Sequence, residues 1–265
     1  SIEEVCAGAA AAPRHGAAPS APWFQLYLLR DRTMNRTLLQ RARSAGAKVL
    51  VLTVDTKTQG ARERDIRNGF TVPPRITLRS AFDAVRCWRW VHDVALGPTV
   101  TFANLKDLIQ GSKDVVTITH FIADKYDLAY DWEALQWCKS EWQGPVAVKG
   151  ILSPEDAKLA VQHGADGIIV SNHGGRQMDG AVSSIAALPS IVDAVGSDAE
   201  VILDGGVRRG VDIVKALALG ARACMAGRPF VYALAALGEE GMQAAISIFK
   251  AEMEKALILL GCNSA

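Results

Sequence analysis

The chain is punctuated by short runs in which nearly every residue is apolar. Residues 48–54 (KVLVLTV), 145–149 (PVAVK), 167–171 (GIIVS) and 200–204 (EVILD) are the clearest. A strand with one wet face alternates apolar with polar residues, whereas a strand covered on both faces, as in a parallel sheet, does not. Residues 23–28 (WFQLYL) and 222–226 (RACMA) add two shorter strand candidates. Helical composition fills the intervals at 34–45, 131–142, 183–195 and 210–219, and residues 238–260 read as an amphipathic helix. Ser153-Pro154-Glu155-Asp156 is a helix start, with a capping hydroxyl, proline in the first turn and acids at the positive end of the dipole. Gly46 and Gly164 are placed to end the helices before them. Residues 7–22, rich in Ala, Pro and Gly, read as a loose loop. Strand alternating with helix means a parallel α/β architecture.

Six strands do not distinguish an open doubly wound sheet from a closed (β/α)8 barrel. The loops after the last two strands bear on this. They read Asp204-Gly205-Gly206 and Ala226-Gly227-Arg228. Glycine lets backbone approach an anion, arginine forks onto its oxygens, and barrels commonly hold phosphate after strands seven and eight. On that reading the six strands are numbers three to eight of an α/β TIM barrel, and strands one and two are absent from this chain. The expectation is one incomplete barrel domain over 1–265, with an irregular insertion at 70–130 after the strand at 48–54. Its 265 residues suit a fold that typically takes about 250. Isolated, it would present unpaired edges on the Phe24 and Ala223 strands, and is expected not to be a stable, active monomer.

Net charge is +1, which removes the compositional case for nucleic acid. The five cysteines, Cys6, Cys87, Cys138, Cys224 and Cys262, are scattered and include no C-x-x-C pair. They read as small buried hydrophobes in a reducing compartment, with no metal site. The opening residues lack the apolar core of a secretory signal, and no run of about 20 apolar residues is present.

The most chemical stretch is Ser171-Asn172-His173-Gly174-Gly175-Arg176-Gln177, directly after a buried strand, where barrel active sites form. A histidine there can act as general base, the glycines clear space, and Arg176 can grip a carboxylate in a bidentate fork. Asp55, just past Thr53 at the end of another strand, either orients that histidine or caps a turn. Lys149 ends an apolar strand, where it is a fixed positive charge for an anionic cofactor or a Schiff-base amine. Arg62 and Arg64 lie in an alternating-charge stretch that alone reads as a solvated helix face.

FQLY (24–27), LTVDT (52–56), VKGI (148–151), SNHGGRQ (171–177), LDGGVRRG (203–210) and AGRPF (226–230) occur in that order. Through them the chain resembles the FMN-dependent 2-hydroxy-acid oxidases and dehydrogenases. Residues 98–105 (PTVTFANL) resemble most the bacterial lactate and mandelate dehydrogenase branch. The resemblance implies His173 as active-site base supported by Asp55, and Tyr27 hydrogen-bonded to the substrate hydroxyl. It implies Arg176 and Arg62 on the substrate, which reverses the bland reading of Arg62. Lys149 would sit at the N1/O2 edge of FMN. Gln25, Thr53 and Ser171 would hold the ring and ribityl chain. Asp204, Gly205, Gly206, Arg208, Gly227 and Arg228 would hold the ribityl tail and phosphate.

The implied reaction is oxidation of an L-2-hydroxy acid to the 2-oxo acid, with oxygen, a quinone or a cytochrome as final acceptor. A homo-oligomer is expected for the full-length protein. Two alternatives stay open: an inactive barrel fragment, and another FMN barrel enzyme such as an isopentenyl diphosphate isomerase. SNHGGRQ argues against the latter, because a base paired with an arginine suits a carboxylate substrate. Residues 77–96 mix arginines with Trp88, Trp90, Val91 and Leu96. They are expected to be an ordinary packed helix, the alternative being a membrane-interfacial segment of a cytoplasmic protein held on the inner face of the membrane.

Overall fold

A computed structural model describes residues 1–12, 21–58, 60, 63–69, 77, 82, 84–97, 102–105 and 125–264. Its centre is one six-stranded parallel sheet: β1 (Trp23–Leu26), β2 (Val49–Thr53), β3 (Val146–Ile151), β4 (Gly167–Val170), β5 (Glu200–Asp204) and β6 (Ala223–Met225). The strands lie in sequence order, each pairing in parallel with the next. A doubly wound sheet reverses its strand order part-way; a barrel does not. The order therefore decides for a partial β/α barrel, open between β1 and β6, each of which pairs on one side only among the described residues.

Around the sheet run α1 (Ile2–Ala11), α2 (Arg32–Ser44), α3 (Glu63–Arg67), α4 (Trp88–Leu96), α5 (Trp132–Trp142), α6 (Pro154–Gln162), α7 (Ser184–Val195), α8 (Gly210–Ala218) and α9 (Arg228–Leu259). Several start where the sequence dictates. Asp31 accepts from the N–H groups of Thr33 and Met34, Asp131 from those of Glu133 and Ala134, and the Ser153 hydroxyl from Asp156. Such caps each contribute about 1 kcal/mol.

Strand side chains alternate between two cores. Leu50, Leu52, Val146, Val148, Ile168, Val170, Val201 and Leu203 pack outward against the helices. Val51, Ala147, Ile169 and Ile202, with Met225 beside them, form a separate inner cluster. Burial of each large outward side chain contributes about 1.5–3 kcal/mol, so the outward layer is what holds the helices to the sheet. Two residues beyond the inner cluster, at the carboxyl ends of β2 to β5, stand Thr53, Lys149, Ser171 and Asp204. The inner face thus has an apolar floor and a polar rim, and the rim is where the site lies.

Three sequence expectations need correction. The loose loop at 7–22 begins later, because residues up to Ala11 continue α1. That helix is nucleated by a capping box between Ser1 and Glu4, and its alanines then favour helix over loop. The helix expected at 238–260 is present as the second part of α9; a separate helical stretch from Arg228 precedes it, and Leu237 and Gly238, with non-helical backbone angles and Gly238 at φ 60°, divide the two. The described residues of 77–96 do not pack as an ordinary buried helix face. In α4, Trp88, Trp90 and Leu96 are 62–75% exposed, and Phe82 and Val85 before it are exposed as well. Most of 70–130 lies outside the described residues. Among the cysteines, Cys6 and Cys138 are buried as expected, but Cys87 and Cys262 are exposed.

Candidate active site

The polar rim is wired together by short hydrogen bonds. Lys149, 6% exposed, donates from its ammonium to the Ser171 hydroxyl at 3.0 Å, and the ammonium lies 3.0 Å from Asp204 Oδ2. Ser171 in turn donates to the same Asp204 oxygen at 2.7 Å. A buried ammonium and carboxylate are tolerable only when paired and hydrogen-bonded in this way. On the β1 side, Gln25 Nε2 donates to Thr53 Oγ1 at 2.7 Å and to the Tyr27 hydroxyl oxygen at 3.1 Å.

The loop after β4 carries the histidine. His173 has φ 57°, a left-handed conformation unusual for a residue with a side chain, and its N–H donates to Ser171 Oγ at 3.0 Å. This turn points the ring across the sheet, where Nδ1 lies 3.1 Å from Asp55 Oδ1 at the exit of β2. An Asp on Nδ1 leaves Nε2 to face the cavity. Gln177 fixes the same arrangement from the far end of the loop, with Nε2 donating to the carbonyls of Asp55 and Thr58, both at 2.9 Å.

Gly150 also shapes the site. Its φ is +108°, and a Cβ there would lie 2.7 Å from Asp55 Cβ. Gly150→Ala is therefore expected to displace the Asp55 carboxylate and to lower turnover in the full-length protein by about tenfold or more. Wild-type turnover in this variant, at matched flavin content, would show that Asp55 need not be held there.

A cavity of about 300 Å³ opens over the rim. Gln25, Tyr27, Lys149, His173, Arg176, Asp204, Gly205, Gly206, Arg208, Gly227 and Arg228 all line it. Thr53 and Ser171 are buried beneath it, and Asp55 reaches it through His173. Arg62 lies outside the described residues. Arg176 and Arg208 make no side-chain hydrogen bond or ion pair with a described residue, whereas Arg228 donates to the Gly174 carbonyl at 2.7 Å. Asp212 caps the N–H groups of Arg208 and Arg209, so that helix start is already satisfied. The N-terminus of α9, at Gly227, carries no side-chain cap. Burial, then the charges of Asp55, Tyr126 and Asp204, push the Tyr27 phenol above its ordinary range, which keeps it a neutral O–H donor. No group of metal-binding side chains occurs among the described residues.

The sequence profile of the FMN-dependent dehydrogenases matches residues 1–265, the full chain. The chain belongs to that family. It is 46% identical to an L-lactate dehydrogenase of Caulobacter sp. (strain K31) over 249 residues, 93% of this chain and 65% of that protein. It is 47% identical to an L-lactate dehydrogenase of Actinobacillus pleuropneumoniae serotype 5b over 238 residues, covering 89% and 62%. The chain thus spans under two thirds of the length of these relatives. Among solved structures it superposes on a monotopic membrane protein, (S)-mandelate dehydrogenase, with TM-score 0.89 and 36% identity, over 99% of this chain and 66% of that one. A mandelate oxidase with benzoyl-formic acid gives TM-score 0.74 and 39% identity, covering 99% and 62%.

The residues present fit the family's cofactor. A flat ring needs an open floor with polar groups at its edge, and the rim supplies both donors and a cation. A phosphate needs approachable backbone, and a Cβ built at Gly206 or Gly227 meets nothing within 4 Å.

Proposed function

We propose that the full-length protein oxidises an L-2-hydroxy acid, lactate- or mandelate-like, to the 2-oxo acid. The observation that carries this reading is the His173–Asp55 pair opening onto the same cavity as Lys149 and Arg176. FMN, when bound, supplies the acceptor for the two electrons that leave the substrate carbon. Gln25, Thr53 and Ser171 would hold its ring and ribityl chain, and Lys149 would oppose negative charge at the N1/O2 edge. Asp204, Gly205, Gly206, Arg208, Gly227 and Arg228 would hold the ribityl tail and phosphate. Arg176, extended at the cavity mouth, binds the substrate carboxylate, and Arg62 is proposed to assist. Tyr27, held by Gln25, hydrogen-bonds the substrate hydroxyl. His173 takes the proton at Nε2, and Asp55 stabilises the resulting imidazolium through Nδ1.

The test is product formation by full-length protein supplied with an artificial electron acceptor. L-Lactate or (S)-mandelate should yield the 2-oxo acid, and the opposite enantiomers should not. Equal use of both enantiomers, or no product from either with flavin bound, would contradict the reading. Replacing the dye with oxygen, a quinone or a cytochrome identifies the natural acceptor.

We further infer a cytoplasmic protein that touches the inner face of the membrane through α4. No helix among the described residues is long and apolar enough to cross a membrane. Exposed Trp88, Trp90 and Leu96 are suited instead to lie in the headgroup region. Full-length protein is expected to float with anionic liposomes, and the Trp88→Ser/Trp90→Ser variant to float several-fold less. Equal flotation of the two would remove α4 as the contact.

A further inference from the structure

Asp55 and His173 stand on the loops that follow β2 and β4, and β3 lies between those two strands. Strand pairing therefore does not set the distance between them. Besides the His173–Asp55 contact itself, the hydrogen bonds that join the two loops among the described residues all come from one side chain. Gln177 Nε2 donates to the Asp55 and Thr58 carbonyls at 2.9 Å each, and Gln177 Oε1 accepts the Gly60 N–H at 3.3 Å. Two carbonyls and one N–H fit an amide in a single orientation, because a carbonyl can only accept.

Gly60 shows how closely the loops approach. Its φ lies outside the left-handed region, so its backbone angles do not call for glycine. A Cβ there would collide with the Arg176 carbonyl oxygen and lie 2.7 Å from Gln177 Cα, the two sides of the peptide that joins these residues. Both are backbone atoms and cannot rotate aside. Any side chain at position 60 thus displaces the backbone that carries Arg176. The Arg176 side chain has no hydrogen-bond partner among the described residues, so its placement follows that backbone.

We propose that Gln177 and Gly60 form a clasp between the two loops: Gln177 is a positioning residue for the Asp55–His173 pair, and Gly60 is one for the Arg176 guanidinium. The clasp rests on the roles given above to His173, Asp55 and Arg176. A base and a carboxylate grip that serve one small acid must keep a fixed spacing, and an error of about 1 Å can cost about a hundredfold in rate. Here the two are spaced through a single peptide, with the pair secured on one side of it and the arginine on the other.

Both halves are tested in full-length protein at equal flavin content, with the thermal transition recorded. Gln177→Met keeps the length and removes every polar atom of the side chain. It is expected to lower kcat about tenfold or more, with KM and the dissociation constant of the 2-oxo acid, read from flavin absorbance, within about threefold of wild type. Gly60→Ala is expected to do the reverse, raising KM and that dissociation constant about tenfold while kcat changes less. A purely structural role lowers thermal stability without this division. Wild-type kcat in Gln177→Met, or kcat and KM altered alike in both variants, overturns the proposal. Should Gly60→Ala lose its fold, Gln177→Glu decides. It keeps an acceptor for Gly60 but turns oxygen toward two carbonyls, so kcat should fall at least as far as in Gln177→Met, and an unchanged kcat overturns the clasp. The Nδ1 proton of His173, followed by NMR without substrate, gives a reading independent of turnover. Its signal should broaden or disappear in Gln177→Met, and an unchanged signal likewise overturns the clasp. Loss of that signal, alongside a wild type that reduces its flavin with neither lactate nor mandelate, would count against the oxidation of hydroxy acids and leave the Gln177 role in place.

Discussion

Full-length protein carrying His173→Gln is expected to keep its flavin and to reduce it about 10²–10⁴ times more slowly with substrate, the range that a positioned general base contributes. Glutamine retains polarity and approximate reach but cannot accept and hold a proton. The turn itself should survive, since the backbone N–H of residue 173 is what Ser171 anchors, and Gln177 secures the loop from its other end. Stability should fall modestly, because Asp55 Oδ1 exchanges a ring N–H held in place for an amide that reaches it less well. Stopped-flow absorbance gives the rate, and the flavin-to-protein ratio shows whether the cofactor site is intact. Residual reduction within a few-fold of wild type would remove His173 as the base.

Lys149→Met should act through stability and flavin affinity together. It strips the ammonium from Asp204 and Ser171 and leaves a carboxylate, 17% exposed, facing an apolar side chain. Breaking a buried pair from one side typically costs about 3–5 kcal/mol, a large share of the roughly 5–15 kcal/mol that holds a domain together. Flavin retention should also fall, because the cavity loses its buried cation. The two effects can be separated. Lys149→Met combined with Asp204→Leu removes both charges, so thermal stability should recover much of the loss, while flavin binding should stay weaker than in Asp204→Leu alone, which keeps the cation. Flavin binding in the double variant equal to that of Asp204→Leu would show that Lys149 serves structure alone.

How much of this could be read from residues follows from how local each determinant is. The buried strands were legible because a parallel sheet writes itself as unbroken apolar runs, and the helix starts at Asp131 and Ser153 because a cap is a contact over two or three residues. Helix α1 was not, since its alanines and glycine suggest a loop unless the reciprocal bonds of Ser1 and Glu4 are weighed. The packing of α4 was also illegible: tryptophans at 88 and 90 fit a core as well as a surface until the surroundings exist. At the site, the SNHGGRQ string and the glycine loops were legible as motifs. The parts that depend on distant meetings were not. Gly150 matters only because Asp55 passes beside it, and Gln177 because it reaches 122 residues back along the chain. Neither leaves a local pattern. A small residue against Asp55 and an amide closing on its carbonyl are consequences of strand register and loop path.

The most direct check on the account is the absorbance of the bound flavin in full-length protein mixed anaerobically with L-lactate or (S)-mandelate. The geometry of His173, Asp55, Tyr27 and Arg176 predicts rapid bleaching of the oxidised flavin band by at least one of them, a matching yield of 2-oxo acid, and no bleaching by its enantiomer. A flavin-loaded protein whose band persists with both acids, or bleaches equally with either enantiomer, would contradict it.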